Sequence, residues 1–292
     1  MQNSDRLGAR LRSARNFRPG NFVRFDCGTE AIGWIRRSLA GRLTSWPEIF
    51  ESSAASIQLR PAAEAVLSAR LAAVATALAR DGMIRGWRGE TYAVRAKEGG
   101  TPLFHLERAA MRFFGLTSSA AHLNGFFFKG ENPSIWIARR AATKSIDPGM
   151  FDKLVAGGVT SGQDAWQTLL RESGEEAGIA PVLAAKARPA GVLRACREVP
   201  EGLESEVLYV FDLALPAEFA PRNTDGEVSE FLPLHARALL DRIARGEMTI
   251  EAGLVAVDFV LRHELVADSD GTLRTAVEAC RPDVARGAGS VG

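Results

Sequence analysis

Residues 157–179 read GGVTSGQDAWQTLLRESGEEAGI, and this run constrains the chain more than any other. A glycine-rich turn leads into an amphipathic segment that ends at Gly178, which reads as a helix over 165–177. Glu172, Glu175 and Glu176 stand at i, i+3 and i+4, so all three carboxylates share one helical face. Like charges that close weaken an isolated helix. They make sense around a hard divalent cation, which prefers carboxylate oxygens. A turn that lets backbone approach a ligand, followed by such a helix, suits a diphosphate held through its metal ions.

The spacing resembles the signature of the Nudix hydrolases, G-x5-E-x7-R-E-U-x-E-E-x-G-U with U bulky and apolar. Here it runs Gly157, Gln163, Arg171-Glu172-Ser173, Glu175-Glu176 and Gly178-Ile179. Gln163 stands where the family has Glu, and Ser173 where it has a bulky apolar residue. The resemblance implies a mixed-sheet α/β/α sandwich and an Mg2+-dependent diphosphohydrolase, with Mn2+ as the alternative metal. It makes Glu172, Glu175 and Glu176 metal ligands, joined by the backbone carbonyl of Ala156 or Gly157, and lets Glu172 serve alternatively as proton acceptor. Arg171 holds a carboxylate of the box in place. A further late Glu, holding an additional metal or acting as base, is expected, with Glu227 preferred over Glu206 and Glu230.

Phosphate oxygens need fixed positive charge, and Arg139, Arg140 and Lys144 follow a strand-like run that should border the site. Neighbours on a strand face opposite sides, so one of the two arginines points away. Arg140 and Lys144 are favoured because they lie nearest the box.

Segments outside the box are similar to one Nudix subgroup, the thiamine-diphosphate hydrolases and the Nudix half of fungal thiamine pyrophosphokinase fusions. They include Trp87-Arg88-Gly89-Glu90-Thr91-Tyr92, His122-Leu123-Asn124-Gly125, Pro200-Glu201-Gly202-Leu203 and Asp225-Gly226-Glu227-Val228. The substrate implied is thiamine diphosphate or an oxidised analogue, cleaved to the monophosphate and phosphate. Another nucleotide-derived diphosphate, and a non-catalytic ligand sensor, are the alternatives. A cationic ring would want aromatic or acidic contacts, for which Trp87, Tyr92, Phe113, Phe114, Phe126 and Phe128 are available.

Along the 292 residues, a helix is expected over 61–80, a short strand at 91–94 and a helix over 107–114. Strands follow at 121–128 and 134–139, then the box helix, then strands at 192–195, 207–213 and 230–234. Two helices, near 235–245 and 250–263, complete the pattern. The division expected is a smaller α+β N-terminal domain over 1–120, a Nudix domain over 121–270, and a tail over 271–292 whose end, 286–292, is frayed. The first twenty residues, rich in Arg, read as a short basic amphipathic segment.

With 36 basic and 35 acidic side chains the formal charge is +1, so no global field favours nucleic acid or an anionic membrane. Three scattered cysteines, Cys27, Cys196 and Cys280, offer neither zinc spacing nor a disulfide framework and fit a reducing cytoplasm. The expected partner is a small-molecule diphosphate, with no nucleic acid and no membrane; a homodimer is the default for such an enzyme.

Overall fold

The computed structural model describes residues 2–282. Its first half opens with α1 (Gln2–Arg12), followed by β1 (Phe22–Cys27), β2 (Glu30–Arg36), α2 (Arg37–Ala40), β3 (Phe50–Ser52) and β4 (Ser56–Leu59). The four strands form one sheet in the order β2-β1-β4-β3. Then come α3 (Glu64–Arg80), the antiparallel pair β5 (Thr91–Arg95) and β6 (Pro102–Glu107), and α4 (Met111–Phe114). α3 presents Leu67, Leu71, Val74 and Leu78 on one stripe. That stripe closes a core with Phe25, Phe50, Phe104, Phe113 and Phe114. The sequence pattern located α3 and β5 but not the sheet over 22–59, whose short strands carry little periodicity.

The second half is built on β7 (Thr117–Phe128), β8 (Pro133–Arg140), β9 (Phe151–Lys153), β10 (Val155–Gly158), β11 (Arg188–Val199), β12 (Gly202–Ala214) and β13 (Val228–Leu234). The order is β11-β12-β7-β8-β13, with β12 parallel to β7 and the other neighbours antiparallel. β7 and β8 pair only at 126–128 against 133–135. Beyond that they splay, and β10 takes the freed edge of β7 while β9 takes that of β8.

Alternate residues of this sheet feed two cores, as the period-two geometry of strands requires. Leu123, Phe211 and Leu213 pack with α5 (Ala165–Ala177) and α6 (Pro181–Ala184) on one face. Leu208 and Val210 pack with α7 (Ala236–Ala244), α8 (Ile250–Arg262) and α9 (Thr272–Glu278) on the other. The result is the α/β/α sandwich, with the α+β module ahead of it.

Two segments lie differently from the sequence division. α1 carries Leu7 and Leu11, one turn apart, into the core under α8 rather than into the N-terminal module. α9 falls inside the stretch read as a tail, and buries Leu273, Ala276 and Val277. Residues 286–292 lie outside the described residues. Among the described residues, no helix is long and apolar enough to cross a membrane.

Candidate active site

The box helix α5 is locally well specified. Asp164 caps it by accepting from the Gln167 backbone, and the Gln167 side chain accepts in turn from the Asp164 backbone, a reciprocal capping box. Gly178 ends it in the left-handed region at φ 63°, where a Cβ would be strained. Gln163, the departure from the signature, uses its amide oxygen to accept from the Thr160 and Thr168 hydroxyls, both at 3.2 Å. It thereby joins the glycine loop to the helix. Ser173, the other departure, is fully buried, and its hydroxyl finds no hydrogen-bond partner among the described residues.

The helix lies against β10, where Gly157 and Gly158 have no room for a side chain. A Cβ on Gly157 would overlap the Glu172 carboxylate, and one on Gly158 would overlap the Tyr92 hydroxyl. Glu176 is 7% exposed and accepts from the Ala156 backbone N–H at 2.8 Å. Burial, and then the charge of Glu172, push its carboxyl up to about 8. Burial also raises the Glu172 carboxyl, against the pull of Arg171. Arg171 bridges two members of the box, donating to Glu172 at 2.7 Å and to the more exposed Glu175 at 2.6 Å.

The basic residues divide as strand geometry requires. Arg140 donates to Asp152 at 2.8 Å and to the Ile146 carbonyl, and lines the cleft beside Glu176 and Ala156. Lys144 lines the same cleft, ion-paired with Glu227. Arg139 corrects the expectation: it faces away, donating to Glu230 at 2.7 Å and lying over the Phe151 ring at 4.0 Å. That removes Arg139 from the phosphate set and Glu230 from the late-Glu candidates. Glu227 is brought to the cleft by a loop tied to α5, where the Thr224 N–H and hydroxyl both donate to the Glu175 carbonyl. Glu206 lies farther along, half-buried, accepting from Ser118 at 3.4 Å.

Of the aromatic candidates, Tyr92, on β5 in the N-terminal core, alone reaches the glycine loop, its hydroxyl abutting Gly158. Phe113 and Phe114 belong to the N-terminal core and Phe126 to the core under α8, whereas Trp87 and Phe128 are 46% and 55% exposed. Sequence reasoning passed over Asp152. Its signal was an Asp-Lys pair inside the otherwise apolar run Phe151–Val155.

Among the described residues no three His, Cys, Asp or Glu side chains are grouped so as to hold a metal ion, and Arg171 is ion-paired with both Glu172 and Glu175. The donor chemistry nevertheless fits a hard divalent cation. Two carboxylates on one helix face are raised by burial, and the Gly157 backbone abuts one of them.

A domain of unknown function, DUF4743, matches residues 7–118, and the NUDIX domain matches residues 123–250. The chain is 31% identical over 252 residues to the chloroplastic Nudix hydrolase 24 of Arabidopsis thaliana, spanning 85% of this chain and 69% of that one. It is 31% identical over 267 residues to Nudix hydrolase 20 of the same plant, also chloroplastic, spanning 87% and 71%. Among solved structures, a Deinococcus radiodurans protein aligns over 57% of this chain and 97% of its own, with 24% identity and a TM-score of 0.45.

Proposed function

The chain belongs to the Nudix hydrolases, enzymes that act on pyrophosphate bonds and generally use divalent metals, and from that premise we propose that it cleaves a small organic diphosphate. Glu176, buried against the catalytic loop without a full counter-charge, is the observation that carries this reading. Mg2+ would be held by Glu175 and Glu176 with the Gly157 backbone, and when bound supplies charge neutralisation for the phosphoryl oxygens. Arg171 holds Glu172 and Glu175 in place through its two ion pairs.

Water adds to one phosphorus, the anhydride P–O bond breaks, and the displaced phosphate oxygen leaves with the bonding electrons. Glu172, partly buried beside Gly157, accepts the proton that the attacking water gives up. Arg140 and Lys144 hold phosphate oxygens, and Asp152 keeps Arg140 in place. The substrate we favour is thiamine diphosphate or an oxidised analogue, released as the monophosphate plus phosphate. This choice draws on the residues shared with that subgroup around Trp87–Tyr92 and Asp225–Val228.

The test is hydrolysis with Mg2+, read by resolving the monophosphate, phosphate and pyrophosphate products, across thiamine diphosphate, oxythiamine diphosphate, ADP-ribose, NADH, coenzyme A and deoxynucleoside triphosphates. Preference for the thiamine compounds is expected. Turnover confined to nucleotides would remove the substrate assignment, and no turnover with any metal would remove the hydrolase reading.

A further inference from the structure

A cavity of about 180 Å3 lies where the N-terminal module meets the catalytic sheet. Arg88, Tyr92, Arg108 and Met111 line it from the N-terminal side, Arg140 and Lys144 from the other. Arg140 and Lys144 also line the cleft beside Glu176, so the cavity and the candidate active site are contiguous.

The N-terminal wall is fixed against the catalytic loop. The Ser161 N–H donates to the Thr91 carbonyl at 2.8 Å, and the Ser161 hydroxyl meets His105 Nδ1 at 2.8 Å. The Tyr92 hydroxyl occupies the space a side chain at Gly158 would fill. Gly86, at φ +78°, packs on Ser145 of the turn that carries Lys144, where a Cβ would come within 2.7 Å of the Ser145 hydroxyl.

Charge runs unevenly through this junction. Arg108 and Arg88 share Glu90, and Arg88 and Lys144 share Glu227. The cavity lining itself holds six cationic side chains, Arg85, Arg88, Arg108, Arg112, Arg140 and Lys144, against three carboxylates, Glu201, Glu204 and Glu206. In a partly dehydrated cavity such a surplus favours an anion, and two guanidinium forks suit phosphate oxygens. Beyond the cations, Tyr92, Met111 and Leu116 give an apolar wall for an organic group.

We propose that this cavity seats the substrate, and that Arg88 and Arg108 of the N-terminal module belong to its phosphate-binding set alongside Lys144. The ligand is a small organic diphosphate with its organic group on Tyr92 and Met111. The proposal rests on the hydrolase reading above, and it gives the N-terminal module a direct part in binding.

The full-length chain and its Arg88→Ala and Arg88→Lys variants test it, each checked by thermal melting. Two quantities are read: KM for the best diphosphate of the panel, and the inhibition constant of inorganic pyrophosphate. Arg88→Ala is expected to raise both about tenfold or more, with a smaller change in kcat. Arg88→Lys should fall between it and the wild type. Unaltered KM and inhibition constant in a folded Arg88→Ala protein would overturn the proposal while leaving the hydrolase reading intact. If the wild type turns over nothing, the hydrolase reading fails. Calorimetric binding of inorganic pyrophosphate then decides: affinity lost in both variants supports the cavity, and equal affinity in all three proteins overturns it. Should Arg88→Ala not fold, Arg88→Lys carries the same decision on its own.

Discussion

Two helices lie on opposite faces of one sheet, and each brings acids into the interior, yet they treat those acids in opposite ways. On α8, Asp258 receives Arg262 at 2.7 Å and Arg281 at 2.6 Å, and Glu251 receives Arg197 at 2.7 Å. Asp212, on the strand beneath, takes Arg262 at 2.6 Å and His263 at 3.1 Å. Burial alone would raise Glu251 and Asp212, but their arginines hold both carboxyls below the ordinary range. On α5, Glu176 has a backbone N–H in place of an arginine, and rises to about 8. The α8 acids complete the fold. The α5 acids are left with a deficit of positive charge that a ligand can supply.

That contrast can be broken at its strongest point first. Glu176→Gln and Glu175→Gln should each cut turnover by roughly 100- to 1,000-fold, the scale of losing one well-placed electrostatic group, with the melting temperature kept. Near-normal rates in both would end the metal assignment. Asp258→Asn should do the reverse, because it leaves Arg262 and Arg281 short of a buried partner. Stability should fall by about 3 kcal/mol, read by denaturant unfolding, while the rate per folded molecule holds.

Lys153 sharpens the comparison on the α8 face. It is 1% exposed, its ammonium has no hydrogen-bond partner among the described residues, and burial lowers it to about 8. Asp152, Asp212 and Asp258 oppose that shift and Arg262 adds to it. Between pH 8 and the ordinary lysine value of 10.5 the folded chain sheds this proton while the unfolded chain keeps it. Stability from this group therefore rises with pH through that window. Lys153→Met should be more stable than wild type by up to about 3 kcal/mol below pH 8, and the gap should close by pH 10.5. A gap independent of pH would show that the ammonium is not the cause. The smallest effect is expected for Gln163→Glu. Its side-chain oxygen already joins Thr160 and Thr168, so the restored carboxylate should change kcat by less than about threefold, well under 1 kcal/mol.

What could be read in advance follows the range of the interactions involved. α5 was legible because its cap, its apolar period and its terminal glycine all lie within one short run. β7, β8 and β12 were legible as apolar runs, whereas β9 and β10 are too short to carry a pattern. The alternation rule said that one of Arg139 and Arg140 must turn away, and the structure makes it Arg139, which the Phe151 ring and Glu230 hold. Through-space features stayed hidden. Tyr92 filling the space beside Gly158, and the Arg108–Glu90–Arg88–Glu227–Lys144 chain, join residues far apart in sequence. No local period marks them.

Binding of Mn2+ to the full-length chain, followed by electron paramagnetic resonance in wild type, Glu176→Gln and Asp258→Asn, bears most directly on the contrast between the two faces. Binding by wild type and Asp258→Asn, with affinity lost in Glu176→Gln, is the expected result. Equal Mn2+ binding in wild type and Glu176→Gln would contradict it.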